Sequence, residues 1–189
     1  MTSTPTKFTA QDYRAIPEGP PYYQLIEGEL VQESPSLSHQ MVGGELYRLI
    51  ANHVRELGLG IVLIAPMDTW IDDENVFQPD VFFVSKARIP LLSEDGVHGA
   101  PDLVIEILSP SSAKRDAGQK RRIYADIGVI ECWLVDPARL SVAVYRFADA
   151  RDQPVQLASG RDVIQSLVLP GLKIRAEEIF SDLISAQLP

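Results

Sequence analysis

A single acidic residue, Glu106, interrupts an otherwise apolar segment that runs from Leu103 to Leu108. The segment is short and rich in leucine, valine and isoleucine, which predicts a strand buried on both faces of a sheet. An ionised carboxylate in such a strand is costly unless a positive group compensates it. The chain must therefore fold so that something positive meets Glu106.

A preceding apolar segment, residues 79–85, predicts a second strand with Asp80 at its start. If the two strands are antiparallel neighbours, Asp80 and Glu106 lie at the same end of the sheet. Asp102 starts the later strand, so it falls at the opposite end, roughly 13 Å from Glu106. That distance is too long for a shared metal ion. Asp80 and Glu106 are therefore the candidate pair, although both aspartates follow a proline.

The segment after Glu106 predicts a helix that Gly128 ends. On a helical wheel of about 100° per residue, one face carries Lys120 together with residues within about 60° of it: Ala113, Asp116, Ala117, Ile123, Tyr124 and Ile127. The helix's other basic residues point elsewhere, so Lys120 is its one basic residue on the face that must meet the sheet.

A lysine that faces a protein core needs a carboxylate or a ligand. Asp80, Glu106 and Lys120 together therefore predict a site for a divalent metal ion and a phosphate group. The alternative is that the three side chains form a buried ion pair with a purely structural role.

Further motifs are spread over nearly the whole chain: Tyr23–Val31, Ser38–Gln40, Gln78–Asp80, Ala100–Ser111, Lys120 with Tyr124, Gly128–Pro137 and Leu169–Leu172. In order and spacing they resemble the PD-(D/E)XK nuclease superfamily, and more closely the Uma-type family of bacterial restriction-endonuclease-like proteins. There is one departure from the superfamily pattern. Leu108 stands where a lysine is expected two residues after the glutamate, and the resemblance implies that Lys120 takes its place.

The resemblance implies an α+β fold with an α/β core, in which helices flank a mixed central sheet and further β-hairpins are attached. It implies that Asp80, Glu106 and the backbone carbonyl of Ile107 hold Mg²⁺, for which Mn²⁺ can substitute. Lys120 would orient the attacking water or neutralise developing negative charge. The implied activity is that of an endonuclease that hydrolyses DNA and leaves a 5′-phosphate and a 3′-hydroxyl.

Two polar residues in the first turn of a predicted helix, residues 37–57, are candidates for positioning the substrate. His39 and Gln40 would hold a phosphate group or a water at the mouth of the site. The alternative is that His39 is a surface histidine beside the helix cap, Ser36 or Ser38.

Composition sets broader limits on the protein. At 189 residues and 46% hydrophobic content, the chain predicts one domain over residues 1–189, with residues 1–8 disordered or extended. No segment approaches the roughly 20 apolar residues of a membrane span. The N-terminus lacks the apolar stretch of a secretory signal, and Cys132 is the only cysteine. We therefore expect a cytoplasmic protein that does not interact with membranes.

The net charge of −9 argues against nucleic acid as a partner. Local charge can outweigh the sum, however, since residues 114–122 contain five basic residues and one acid. This basic run is either a nucleic-acid contact or an ordinary solvated helix face.

The remaining pattern predicts a short helix after Thr9, a hairpin over residues 22–32 and a strand over residues 60–71. It also predicts a long loop over residues 85–99, strands near residues 154–158 and 163–169, and a helix over residues 176–185.

Two functions remain open. The first is the Mg²⁺-dependent endonuclease, for which a homodimer would suit the cutting of both strands of a duplex. The second is a catalytically silent binding module on a nuclease fold, which the acidic charge and the displaced lysine favour. The sequence leaves open whether the nucleic acid is DNA or RNA.

Overall fold

The structure, a computed structural model, describes residues 7–32, 34–110 and 112–186. Its helical segments are α1 (Ala10–Arg14), α2 (Leu37–Leu57), a 3-10 helix (Lys86–Leu91), a π-helix (Arg115–Lys120), α3 (Arg121–Ile127), α4 (Ala176–Ile179) and α5 (Ser181–Ser185). Its strands are β1 (Tyr23–Ile26), β2 (Glu29–Gln32), β3 (Gly60–Ile64), β4 (Thr69–Asp72), β5 (Asn75–Phe77), β6 (Val81–Ser85), β7 (Leu92–Ser93), β8 (Gly96–His98), β9 (Leu103–Ile107), β10 (Glu131–Asp136), β11 (Ser141–Arg146) and β12 (Gln156–Ser159). Within the described ranges, no helix combines the length and apolar composition that a membrane span requires.

The strands form two six-stranded sheets. The central sheet has the order β12-β11-β10-β9-β6-β3, and the second sheet has the order β2-β1-β5-β4-β8-β7. Each sheet is mixed, because β9 runs parallel to β10 in the first and β4 runs parallel to β8 in the second. The predicted mixed α+β architecture is confirmed.

The two strands predicted to carry the site are neighbours in the central sheet. β6 and β9 are antiparallel, with Val81 opposite Ile105. This register places Asp80, just before β6, beside the end of β9 that contains Glu106. The crossover from β9 to β10 returns parallel to β9, with Leu134 opposite Glu106, as the strand–helix–strand pattern predicts.

Both faces of the central sheet are covered, which explains why β9 reads as a nearly continuous apolar run. Ile105 and Ile107 belong to a core that includes the apolar side of α2. Val104 points to the other face, into a core with Tyr124 of α3 and Phe77 of the second sheet. Glu106 alternates with Ile105 and Ile107, so it faces the side that α3 and the second sheet cover.

The long helix α2 has the predicted bounds and caps. The side chain of Ser36 accepts a hydrogen bond from the backbone N–H of His39, and Gly58 ends the helix with a left-handed φ of 60°. The cap fixes His39 in the first turn, at the end of the sheet where β6 begins.

Several predicted elements differ from the structure. The strand expected over residues 60–71 is divided into β3 and β4, which belong to different sheets, and Pro66 lies between them. The loop expected over residues 85–99 contains a 3-10 helix and the hairpin β7–β8. Residues 163–169 form no strand; Val163 makes a single bridge to Arg175. The expected C-terminal helix is divided into α4 and α5.

The predicted disorder of residues 1–8 falls mostly outside the described residues. Lys7 and Phe8 are described, and both are attached to the second sheet. The backbone N–H of Phe8 donates to Gly28 O at 2.9 Å, and the ammonium of Lys7 lies 2.8 Å from Glu74.

Candidate active site at one end of the central sheet

Glu106 and Lys120 form a buried ion pair. Lys120 Nζ lies 2.6 Å from Glu106 Oε1, and the two side chains are 2% and 3% exposed. The hydroxyl of Tyr124 donates to the same carboxylate oxygen at 2.5 Å. The positive group that the sequence predicts beside Glu106 is therefore Lys120, on the following helix.

Asp116 is a third acid in this cluster, beyond the site residues predicted from the sequence. Its Oδ1 lies 3.7 Å from Lys120 Nζ, and its side chain is 6% exposed. Asp116 and Lys120 lie four residues apart on the π-helix, a spacing that places their side chains on one face. Single π-helical turns are frequent at functional sites. The wheel had placed Asp116 beside Lys120, so its inward position was the available signal.

The carboxylates and the lysine shift one another's protonation. Burial lowers the pKa of Lys120, but the negative charges of Glu106, Asp116 and Asp80 outweigh it and raise that pKa above its usual range. Burial raises the pKa of Glu106, which Lys120 opposes and the two aspartates reinforce. Three carboxylates around one ammonium leave a surplus of negative charge in a buried place, which a divalent cation would neutralise.

Asp80 lies at the same end of the sheet, as the antiparallel pairing predicts. Its Oδ2 accepts a hydrogen bond from the backbone N–H of Ile107 at 2.6 Å. His39 Nε2 lies 3.1 Å from the same oxygen, with both side chains largely buried. Asp80 is thus held against the residue that follows Glu106, by a backbone donor on one strand and a side chain from α2.

Asp102 lies at the other end of β9 and makes a different set of contacts. Its Oδ2 accepts from the backbone N–H of Ser85 at 2.7 Å, and its Oδ1 lies 3.4 Å from the guanidinium of Arg88. These contacts anchor the start of the 3-10 helix, so the structure separates Asp102 from the cluster around Lys120.

The two substrate-positioning candidates differ in placement. His39 contacts Asp80, whereas the side chain of Gln40 is exposed. Among the described residues, Gln40 contributes a backbone hydrogen bond to Ser36 O and no side-chain contact with the cluster.

The carboxylates present oxygen donors suited to a hard cation. The contacts described above engage Oδ2 of Asp80 and Oε1 of Glu106, one oxygen of each carboxylate. Carboxylate oxygens are the donors that Mg²⁺ prefers, and it usually keeps several waters as further ligands. Over the residues that the structure describes, no group of three or more His, Cys, Asp and Glu side chains is arranged to hold a metal ion. The chemistry of the donors, two carboxylates, is nevertheless of the kind that Mg²⁺ prefers.

The family model described as "Uma2: Putative restriction endonuclease" matches residues 10–177. The chain belongs to the Uma2 family. The match spans both sheets and every member of the cluster, so the resemblance noted from the motifs is confirmed.

A solved structure shares the fold of this Uma2 protein. It is the crystal structure of a protein from Anabaena variabilis whose description reads "putative nuclease belonging to DUF820". The two chains superimpose with a TM-score of 0.78 at 22% sequence identity, over 92% of this chain and 98% of the other. No curated protein matches the chain.

Proposed function

We propose that this Uma2 protein is a Mg²⁺-dependent endonuclease that hydrolyses phosphodiester bonds in DNA. The observation that supports this most directly is the buried Lys120 ammonium 2.6 Å from Glu106, surrounded by more carboxylate charge than it can neutralise. A purely structural pair needs one acid for one base. The additional acids Asp80 and Asp116 suit a site that also receives a divalent cation.

Asp80 and Glu106 would hold the metal ion, together with the backbone carbonyl of Ile107. When bound, the ion supplies Lewis acidity towards water and towards the phosphate group. The N–H of Ile107 fixes one oxygen of Asp80, which directs the other oxygen of that carboxylate to the site. Tyr124 fixes Oε1 of Glu106 in the same way.

Lys120 would orient the attacking water and offset the negative charge that develops on the phosphate. Its neighbours restrict it to this position, because Glu106 and Asp116 lie 2.6 Å and 3.7 Å from Nζ and the ring of Phe77 lies 5.5 Å from it. His39 would hold Asp80 in place and, together with Gln40, position the substrate. Hydrolysis adds water across the P–O3′ bond and leaves a 5′-phosphate and a 3′-hydroxyl.

The test is cleavage of plasmid and single-stranded DNA with and without Mg²⁺. Wild type is compared with Asp80→Ala and Glu106→Ala, which should lose the activity. Asp102→Ala is the matched control, because Asp102 also follows a proline and also borders β9, but at its other end. Equal residual cleavage by wild type and by both site variants would show that a contaminating nuclease cuts the DNA, and would refute the proposed endonuclease activity.

A second candidate is a binding module on the nuclease fold that no longer cuts. The observation that favours it is that Oε1 of Glu106 already binds both Lys120 and Tyr124 within the protein. Thermal unfolding with and without Mg²⁺ separates the readings, since a ligand that binds only the folded state raises the melting temperature. A Mg²⁺-induced rise that Asp80→Ala removes supports the enzyme, and its absence supports the silent module.

A homodimer is part of the proposal for a duplex substrate. Two phosphodiester cuts in opposite strands suit two active sites related by a two-fold axis. Sedimentation in the presence of duplex DNA measures the stoichiometry, and a single copy bound per duplex would contradict it.

A further inference from the structure

The outer side of the helix that carries Lys120 forms an open groove lined mainly by basic residues. We call it the basic groove; it is lined by Lys114, Arg115, Gly118, Gln119, Arg121, Arg122 and Asp152, and its volume is about 680 Å³. Four of these side chains are basic and one is acidic. This is a local reversal of sign in a protein whose net charge is −9.

The cations at the groove differ in how firmly the protein holds them. Arg121 is fixed, since its Nε donates to Ala117 O at 3.0 Å and its guanidinium stacks on Tyr145 at 4.9 Å. Arg122 is 67% exposed, and its contact with Glu27 at 3.6 Å joins two solvated side chains and is therefore weak. Lys114 is exposed and forms no ion pair within the described part of the chain.

Gly118 lies in the middle of the groove, inside the π-helix, where glycine is a poor choice for helix stability. An added Cβ at Gly118 would meet no heavy atom within 4 Å, and its φ lies outside the left-handed range that favours glycine. Neither packing nor backbone conformation therefore requires glycine here. A glycine with open space above it allows another molecule to approach the helix backbone closely.

The groove lies on the helical segment that follows β9, the strand that carries Glu106. Lys114 and Arg115 stand near the start of this segment, and Arg122 lies further along it. At about 1.5 Å per residue, Lys114 and Arg122 are separated by roughly 12 Å along the axis. Successive phosphates along one strand are further apart than the rise of about 3.4 Å per nucleotide. The separation of Lys114 and Arg122 therefore accommodates two or three of them.

Another open cavity of the described chain has the opposite character. It has a volume of about 540 Å³ and is lined by aromatic and acidic residues that include Trp70, Glu18, Glu94 and Asp95. A polyanion that approached the protein would be repelled by this acidic cavity and attracted by the basic groove.

We propose that the basic groove binds the phosphodiester backbone of a polynucleotide and guides it to the end of the central sheet. This rests on the proposed function for the identity of the polymer. Lys114 and Arg122 would contact phosphates, Arg121 would form a fixed wall, and Gly118 would lie directly beneath the strand. Such contacts carry affinity and not sequence specificity, because they do not reach base edges.

The test measures binding separately from cleavage. Fluorescence anisotropy in EDTA follows a labelled 20-mer as duplex DNA, as single-stranded DNA and as RNA of the same sequence, over a series of salt concentrations. The variants are Lys114→Glu with Arg122→Glu, and Gly118→Leu. The matched control is Arg55→Glu, the same charge change on an exposed arginine in the last turn of α2.

The double charge reversal should weaken affinity by about tenfold or more at low salt and reduce the salt slope by about two. Gly118→Leu should weaken binding without lowering the melting temperature, since leucine favours the helix and its Cβ meets no protein atom. Arg55→Glu should bind as wild type does. Comparison of the three polymers shows which one the groove prefers.

Equal affinity of all four proteins would overturn the proposal, as would a wild type that binds none of the three polymers. Polyglutamate binding with the same affinity and the same losses would also overturn it, because the groove would then select acidic chains in general. Wild type that binds in EDTA but never cuts with Mg²⁺ refutes the endonuclease and leaves the groove supported.

Discussion

Lys120 Nζ lies 2.6 Å from Oε1 of Glu106, and both side chains are almost completely buried. The lysine therefore reaches the carboxylate of Glu106 from the helical segment that follows β9. Leu108, two residues after Glu106, lies among residues packed against the core shared by α3 and the second sheet.

Glu106→Gln should abolish Mg²⁺-dependent cleavage and the Mg²⁺-induced rise in melting temperature, while leaving stability without metal unchanged or higher. The reason is that glutamine removes one of several buried negative charges. The carboxylate of Asp116, whose Oδ1 lies 3.7 Å from Lys120 Nζ, still compensates the lysine. Thermal unfolding with and without Mg²⁺ measures both effects. A large loss of stability in EDTA together with an unchanged Mg²⁺ shift would instead identify a structural ion pair.

The same variant should change how stability depends on pH. Burial raises the pKa of Glu106 in the folded state, with Lys120 opposing and the neighbouring aspartates adding to the rise. The folded state then holds this proton more tightly than the unfolded state, so the carboxyl costs stability as pH rises above its ordinary pKa of 4.5. As pH rises from about 5 to about 8, Glu106→Gln should therefore gain stability relative to wild type. A constant difference across this range would contradict the prediction.

Lys120→Met should destabilise the protein by about 3–5 kcal/mol near neutral pH, because it leaves the buried carboxylates unpaired. The loss should be smaller at low pH, where the carboxylates are protonated, and cleavage should be lost at all pH values. Urea unfolding at several pH values measures the first effect. Lys114→Met on the exposed side of the same helix is the control and should leave stability almost unchanged.

The sequence predicted the parts of the site that depend on regular periodicity. The two-residue period of strands and the antiparallel pairing place Asp80 beside Glu106, and the helical wheel turns Lys120 inward. The same wheel places Asp116 on the face of Lys120, but a shared face does not by itself show that the carboxylate lies 3.7 Å from the ammonium and belongs to the cluster. The contact of His39 with Asp80 depends on how α2 packs across the sheet, which no local pattern specifies.

The second sheet was only partly predictable for a similar reason. The hairpin of β1 and β2 has a local turn signal at Glu27 and Gly28. In contrast, β4, β7 and β8 are two to four residues long, and the pairing of β4 with β8 joins segments distant in sequence. Such short strands are stabilised by their neighbours, so their own residues carry little periodicity.

Tyr124→Phe should lower the free energy of unfolding by about 1–2 kcal/mol and reduce cleavage without abolishing it. The change deletes the hydroxyl that donates to Glu106 at 2.5 Å, but it keeps the ring, which packs edge-on against Phe77 at 5.4 Å. Urea unfolding and cleavage rates measured on the same preparation check the two effects. Complete loss of cleavage would assign Tyr124 a direct catalytic part instead of a positioning one.

Asp102→Ala should reduce stability by about 1–3 kcal/mol and leave both the Mg²⁺-induced shift and cleavage intact. Asp102 accepts from the N–H of Ser85 at 2.7 Å and faces Arg88 at 3.4 Å, so its loss weakens the end of the sheet opposite the candidate site. Asp80→Ala, measured beside it, should show the reverse pattern, with cleavage and the Mg²⁺ shift lost. Because both aspartates follow a proline and border β9, this comparison tests the assignment of the two ends directly. Loss of cleavage in Asp102→Ala with retention in Asp80→Ala would contradict the proposal, because it would place the active site at the end of the sheet that contains Asp102.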